Sequence, residues 1–160
     1  MFNMVLGIDP GLASCGWAIL SDAQTLIRSG CIVTKKADDL ASRLDQIYCQ
    51  TEDLCRQHKI DELAIESLFF AKNTKTALLV AQAMGAIKAA ADNAGAKVFE
   101  YTPLQIKIAI TGYGRAQKDQ VVSMIRQSLG ESVVLGNNHA SDAIAAALTH
   151  LFTLKKEQLI

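Results

Sequence analysis

Net charge is the first thing this chain lacks: sixteen Lys and Arg offset sixteen Asp and Glu over 160 residues. A uniformly basic coat for nucleic acid is thereby excluded, and what matters is where the charges lie. Long apolar runs are missing too. No stretch approaches the ~18 residues of a membrane span, and the N-terminus lacks the basic-then-apolar pattern of a secretion signal. A cytoplasmic protein with no membrane partner is the expectation. Four cysteines, Cys15, Cys31, Cys49 and Cys55, include no CxxC pair. The usual zinc spacing is therefore absent, and reduced thiols are expected. Repeats, linkers and low-complexity segments are also missing, so residues 1–160 are expected to form one domain large enough to bury a real core.

What is present is a hydrophobic half and a strong opening pattern. Met4-Val5-Leu6-Gly7-Ile8-Asp9-Pro10-Gly11 reads as a short strand covered on both faces, hence central in its sheet. A carboxylate, Asp9, arrives where its neighbours are apolar. There it needs a neutralising partner or a proton. The plainer reading is a turn opened by Asp9, with Pro10 fixing φ.

Ser14 to Leu20 and about Leu26 to Thr34 continue as strands joined by connections too short for helical crossovers, predicting an antiparallel meander. Asp38-Asp39 opens an amphipathic helix ending near His58. Glu62 to Glu66 is a second short buried strand that ends on a carboxylate. The loop Ser67 to Asn73 follows, with Phe69 and Phe70 beside Lys72. Thr74 to Asn93 is helical and apolar on nearly all sides. One face can pack on the sheet, and the other is expected to meet a partner subunit. A fifth strand covers Lys97 to Tyr101, and Pro103 starts a short helix. Thr111 to Arg115 is a basic loop, Gln117 to Leu129 a helix, and His139 to Leu154 a last long helix, with Asn138 as its cap. This order predicts an α/β fold with a five-stranded mixed sheet flanked by helices.

Charge is unevenly shared. Residues 1–71 carry six basic against ten acidic side chains, and residues 72–126 carry eight against three. If strands 1 and 4 run parallel and adjacent, Asp9 and Glu66 emerge at one edge. His139 and Asp142, three apart on the last helix, share a face. Three carboxylates and an imidazole form an oxygen-rich set suited to Mg²⁺ or Mn²⁺. Two such ions suit phosphodiester hydrolysis.

Val5 to Gly11, Ala64-Ile65-Glu66, Phe69 to Asn73, Phe99 to Pro103 with Gln105-Ile106-Lys107, Thr111 to Gly114 with Lys118, and Ser141 to Ala145 together resemble the RuvC family of Holliday-junction resolvases. The likeness runs in order from about residue 4 to 152. It implies a ribonuclease H-like fold, a homodimer, and Mg²⁺-dependent paired nicks across a four-way DNA junction, with Mn²⁺ able to substitute. Two ions per subunit and cooperation with the RuvA–RuvB branch-migration motor are also implied.

By that resemblance Asp9, Glu66 and Asp142 match the acidic metal ligands, Asp9 bridging both ions. His139 stands where relatives carry Asp or His. Phe69 matches the aromatic at the crossover, while Lys107 and Lys118 match lysines near the cut phosphate. Lys72 joins them as a DNA-binding candidate. Met84 stands where relatives often carry Arg. Two other readings attach to the same residues: a junction-binding module without catalysis, and a nucleotide-binding domain similar to the actin-like kinases.

Overall fold

A computed structural model describes residues 3–68 and 74–159. Phe69, Phe70 and Lys72, singled out above, lie outside the described residues. The elements are β1 (Met4–Asp9), β2 (Ser14–Ser21), β3 (Leu26–Val33), α1 (Leu40–Gln57), β4 (Glu62–Glu66), α2 (Thr74–Asn93), β5 (Lys97–Tyr101), α3 (Pro103–Thr111), α4 (Lys118–Leu129) and α5 (Asn138–Glu157).

The strands form one mixed sheet in the order β3-β2-β1-β4-β5. β1 pairs antiparallel with β2, and β2 with β3. β4 runs parallel to β1, and β5 parallel to β4. The expected meander and the expected central position of β1 are both found. The parallel neighbours each follow a helical crossover, as parallel pairing requires.

Side chains alternate between two cores. Leu6, Ile8, Ile19, Leu63 and Ile65 face one way and pack with residues of α1 and α2. Val5, Ala18, Leu20, Ala64 and Tyr101 face the other way, towards α5 and its neighbours α3 and α4. α2 buries Ala83, Met84, Ile87, Ala90 and Ala91. Met84 is thus a core residue, 5% exposed. Earlier on α2, Leu78 and Leu79 stay exposed, the apolar surface that the all-round pattern leaves over.

α5 lies unusually close to the sheet, and two glycines allow it. A Cβ at Gly7 would stand 2.0 Å from the Ala143 carbonyl oxygen, and one at Gly16 would stand 2.1 Å from that of His139. Only hydrogen fits at either position. The helix presents small residues in return: Ala140, Ala143, Ala145, Ala146 and Ala147 are all buried. This close seat fixes the height of the first turns of α5 over the end of β1.

Some boundaries move. α5 begins at Asn138, and its cap is Asn137, whose side chain accepts from the Ala140 amide at 2.9 Å. Either Asn has the cap chemistry, and the sequence alone does not choose between adjacent asparagines. β3 stops at Val33 because Thr34 turns to the β1–β2 connection, donating its hydroxyl to the Leu12 carbonyl at 2.6 Å. Gln117 precedes α4 as its N-cap, its amide donating to Gln120 Oε1 at 2.7 Å.

Candidate active site

β1 and β4 end together. Ile8 lies opposite Ile65 in the parallel register, so the next residues, Asp9 and Glu66, leave the sheet side by side. Alternation puts Asp9 on the face of Val5 and Gly7, and Glu66 on the face of Ala64. That is the α5 face. From the helix above, His139 Nδ1 lies 2.9 Å from Asp9 Oδ2. One turn on, Asp142 Oδ2 accepts from Lys118 Nζ at 3.1 Å.

Lys118 is the first residue of α4. Lys107 sits on α3, whose start is fixed by Pro103 and by Thr102, capped reciprocally with Gln105. Glu66, Asp142, Lys107 and Lys118 line one cleft of about 360 Å³. Asp9 and His139 do not line it: Asp9 meets His139 and reaches the cleft groups through charge, feeling Asp142 and Lys118 and raising Glu66. The six described candidates therefore come together, from β1, β4, α3, α4 and α5.

The electrostatics are those of an overfilled acid site. Burial pushes the Asp9 carboxyl up, and the charge of Asp142 adds to this against the lowering effect of the His139 bond. Glu66 is pushed up to about 7, first by burial and then by the charges of Asp9 and Asp142, with Lys118 and Lys107 opposing. Unlike Asp9 and Asp142, Glu66 has no salt-bridge or hydrogen-bond partner among the described residues. Three carboxylates share one lysine contact and one imidazole contact, so negative charge is in excess.

As the side chains stand, no group of three or more His, Cys, Asp and Glu among the described residues closes tightly enough to cage an ion. Asp142 is paired with Lys118 and Asp9 with His139. Hard oxygen donors that are only partly neutralised are nevertheless the chemistry a divalent cation satisfies. Asp9, Glu66, Asp142 and His139 fit such an ion by donor type and by unmet charge.

A sheet of this order, with acids at the ends of its central parallel pair and on the covering helix, defines a ribonuclease H-like phosphodiester hydrolase. The model of the family described as crossover junction endodeoxyribonuclease RuvC matches residues 5–150. This chain belongs to the RuvC family of endodeoxyribonucleases. The RuvC crossover junction endodeoxyribonuclease of Rubrobacter xylanophilus is 41% identical over 154 residues, covering 94% of this chain and 86% of the relative. That of Finegoldia magna is 41% identical over 158 residues, covering 97% and 96%. Among solved structures, T. thermophilus RuvC in complex with Holliday junction substrate superposes with a TM-score of 0.90 at 30% identity, covering 97% of this chain and 96% of that one. The yeast mitochondrial resolvase Ydc2, at 13% identity and a TM-score of 0.62, shares the fold.

Sequence reasoning missed the direct partners of the acids. It brought His139 and Lys118 to the neighbourhood but not to Asp9 and Asp142 individually. Spacing along a helix says which residues share a face, not which carboxylate each one reaches.

Proposed function

We propose that this chain resolves four-way DNA junctions as a homodimer, each subunit nicking one strand by metal-dependent phosphodiester hydrolysis at Asp9, Glu66, His139 and Asp142. The single observation that carries the reading is Glu66 and Asp142 lining one cleft with Lys107 and Lys118, with the charge of Asp9 acting on Glu66 from the neighbouring strand end. An acid cluster by itself repels a phosphodiester. Lysines on its rim bring the backbone in.

Asp9, held by His139, would be one carboxylate ligand of the set. Glu66 and Asp142 complete the set for Mg²⁺ or Mn²⁺, two ions per subunit. A divalent cation bound there would activate water and offset charge on the phosphoryl oxygens. Lys118 occupies only Oδ2 of Asp142, so Oδ1 stays open to a metal, and a DNA phosphate would give the ammonium a second anion. Lys107, also on the cleft wall, holds the same strand. Phe69 is assigned to stacking at the crossover and Lys72 to backbone binding.

The dimer reading draws on α2. Leu78 is 55% and Leu79 37% exposed, and a two-fold axis through this helix would relate two sites as paired nicks require. We further assign the chain to the cytoplasm, as one nuclease domain working with the RuvA–RuvB motor. No helix among the described residues is long and apolar enough to cross a membrane.

The test is cleavage of a synthetic four-way junction with Mg²⁺ or Mn²⁺. Paired, symmetric nicks are expected, absent from linear duplex and abolished by a chelator. Tight junction binding without product in either metal would replace this reading with a non-catalytic module.

A further inference from the structure

A second groove reaches the acid site at His139, and neither Lys107 nor Lys118 lines it. It measures about 430 Å³ and is lined by the turn from Gly11 to Ser14, by Lys36 and Arg43, by Leu79 and Val80, and by His139. His139 ties the two regions together, since the same ring contacts Asp9. We propose that this groove is a second DNA-backbone site, with Arg43 and Lys36 gripping phosphates of the strand on the far side of the cut. The inference rests on the junction-nuclease reading and extends it to residues outside the acid cluster.

Arg43 carries the argument. Its Nε donates to Thr34 Oγ1 at 2.9 Å, and Thr34, 5% exposed, donates in turn to the Leu12 carbonyl at 2.6 Å. A buried hydroxyl thus orients the guanidinium over the turn that directly follows Asp9. One donor is used, and the terminal nitrogens make no ion pair among the described residues. Neither Asp38 nor Asp39 forms an ion pair with Arg43 among the described residues. Asp39 caps α1, accepting from the Ser42 amide at 3.0 Å and hydroxyl at 2.6 Å, and those bonds hold its carboxyl below the ordinary range. Asp38 accepts from Gln46 Nε2 at 3.3 Å.

A half-buried guanidinium that is positioned but unpaired, with an exposed lysine beside it, matches a phosphodiester in charge and in bidentate geometry. The apolar floor of Leu12 and Val80 suits the sugar edge of a strand. A strand crossing the acids would then meet lysines on one bank and the Arg43–Lys36 pair on the other. Its two flanks would be held while the phosphate between them is cut.

The experiment measures junction affinity of the full chain in a chelator, so that nothing is cut, across a salt series. Arg43→Gln is expected to weaken binding roughly tenfold at low salt. It should also shrink the slope of log K against log salt by about 0.9, one phosphate contact. Lys36→Gln, on an exposed side chain that holds no structural bond among the described residues, is expected to shrink the slope by a similar step. It keeps the test open if the Arg43 variant does not fold. Slopes equal to wild type in Lys36→Gln and in any folded Arg43 variant overturn the proposal. So does a loss of affinity that sedimentation traces to a broken dimer, since the groove would then seat a second copy. Wild-type protein that fails to bind the junction would sink the nuclease reading itself, a different result from flat slopes in variants of a chain that binds.

Discussion

The face that α5 lays on the sheet carries the same pair twice. At one end His139 meets Asp9 at 2.9 Å, and at the other His150 meets Glu62 at 3.0 Å. Each joins an imidazole on α5 to a carboxylate at the end of a central strand. Their surroundings differ. His150 is 1% exposed, its other nitrogen meets Tyr101 Oη at 2.7 Å, and Phe99 lies 4.4 Å away ring to ring. Glu62 also accepts from Asn3 Nδ2 at 2.9 Å. One acid, one imidazole, one phenol and one amide satisfy each other, and the network is closed. His139 is 49% exposed, and its acid shares the site with two more. The lesson is that the pair itself does not mark function. Access and surplus charge do.

Breaking the open end should give the largest effect. Asp9→Asn removes one carboxylate of the acid set while leaving Lys107, Lys118 and the basic rim intact. Cleavage of a four-way junction is expected to fall about a thousandfold, equivalent to roughly 4 kcal/mol of barrier. Gel-shift affinity in a chelator should remain within a few-fold of wild type. A variant that cuts normally would remove Asp9 from the chemistry and erase the distinction between the two ends.

The closed end should respond in the opposite currency, stability without catalysis. His150→Leu takes a partner from partly buried Glu62 and from buried Tyr101 together, leaving each short of a bond. The expected cost is about 3 kcal/mol, read as a fall in Tm of roughly 6–12 °C for a chain of this size. Cleavage per folded molecule at 25 °C should stay within about twofold. A specific loss of cleavage in well-folded His150→Leu protein would show that the lower network tunes α5 at the site.

The sequence carried much of the fold because its signals were local. The meander follows from short connections, the central strand from an unbroken apolar run, and the position of β4 from a crossover helix that must return the chain parallel to β1. The two carboxylates at adjacent strand ends follow from the same reasoning. His150 and Glu62 were silent for a physical reason. A His deep in an Ala-rich helix and a Glu opening a strand look like surface residues until the register brings them together across 88 positions. Arg43 was equally silent, since nothing in its own helix shows that it will bond Thr34 and share a groove with the turn after Asp9. What stayed illegible was pairing between side chains from distant elements, which depends on the close seat that Gly7 and Gly16 give to α5.

The finest test of the comparison sets Glu66 against pH in protein stripped of metal. Its carboxyl ordinarily titrates near 4.5 and is raised to about 7 in the folded chain. Below the lower value it is protonated in both the folded and the unfolded state, so folding costs nothing there. Between the two values the folded chain keeps a proton that the unfolded chain has released, so stability falls as pH rises, and the full penalty stands above about 7. Glu66→Gln removes the penalty. In a chelator the variant and wild type should melt together near pH 4.5, and the variant should melt higher at pH 8. The gain is about 1–2 kcal/mol after allowing for partial exposure, or roughly 2–8 °C. Adding Mg²⁺ or Mn²⁺ should reverse the order, because wild type gains stability from the ion through a carboxylate that Gln lacks. A variant less stable than wild type at pH 8 without metal would mean that Glu66 is already satisfied where it stands. The upper end would then be as closed as the lower one.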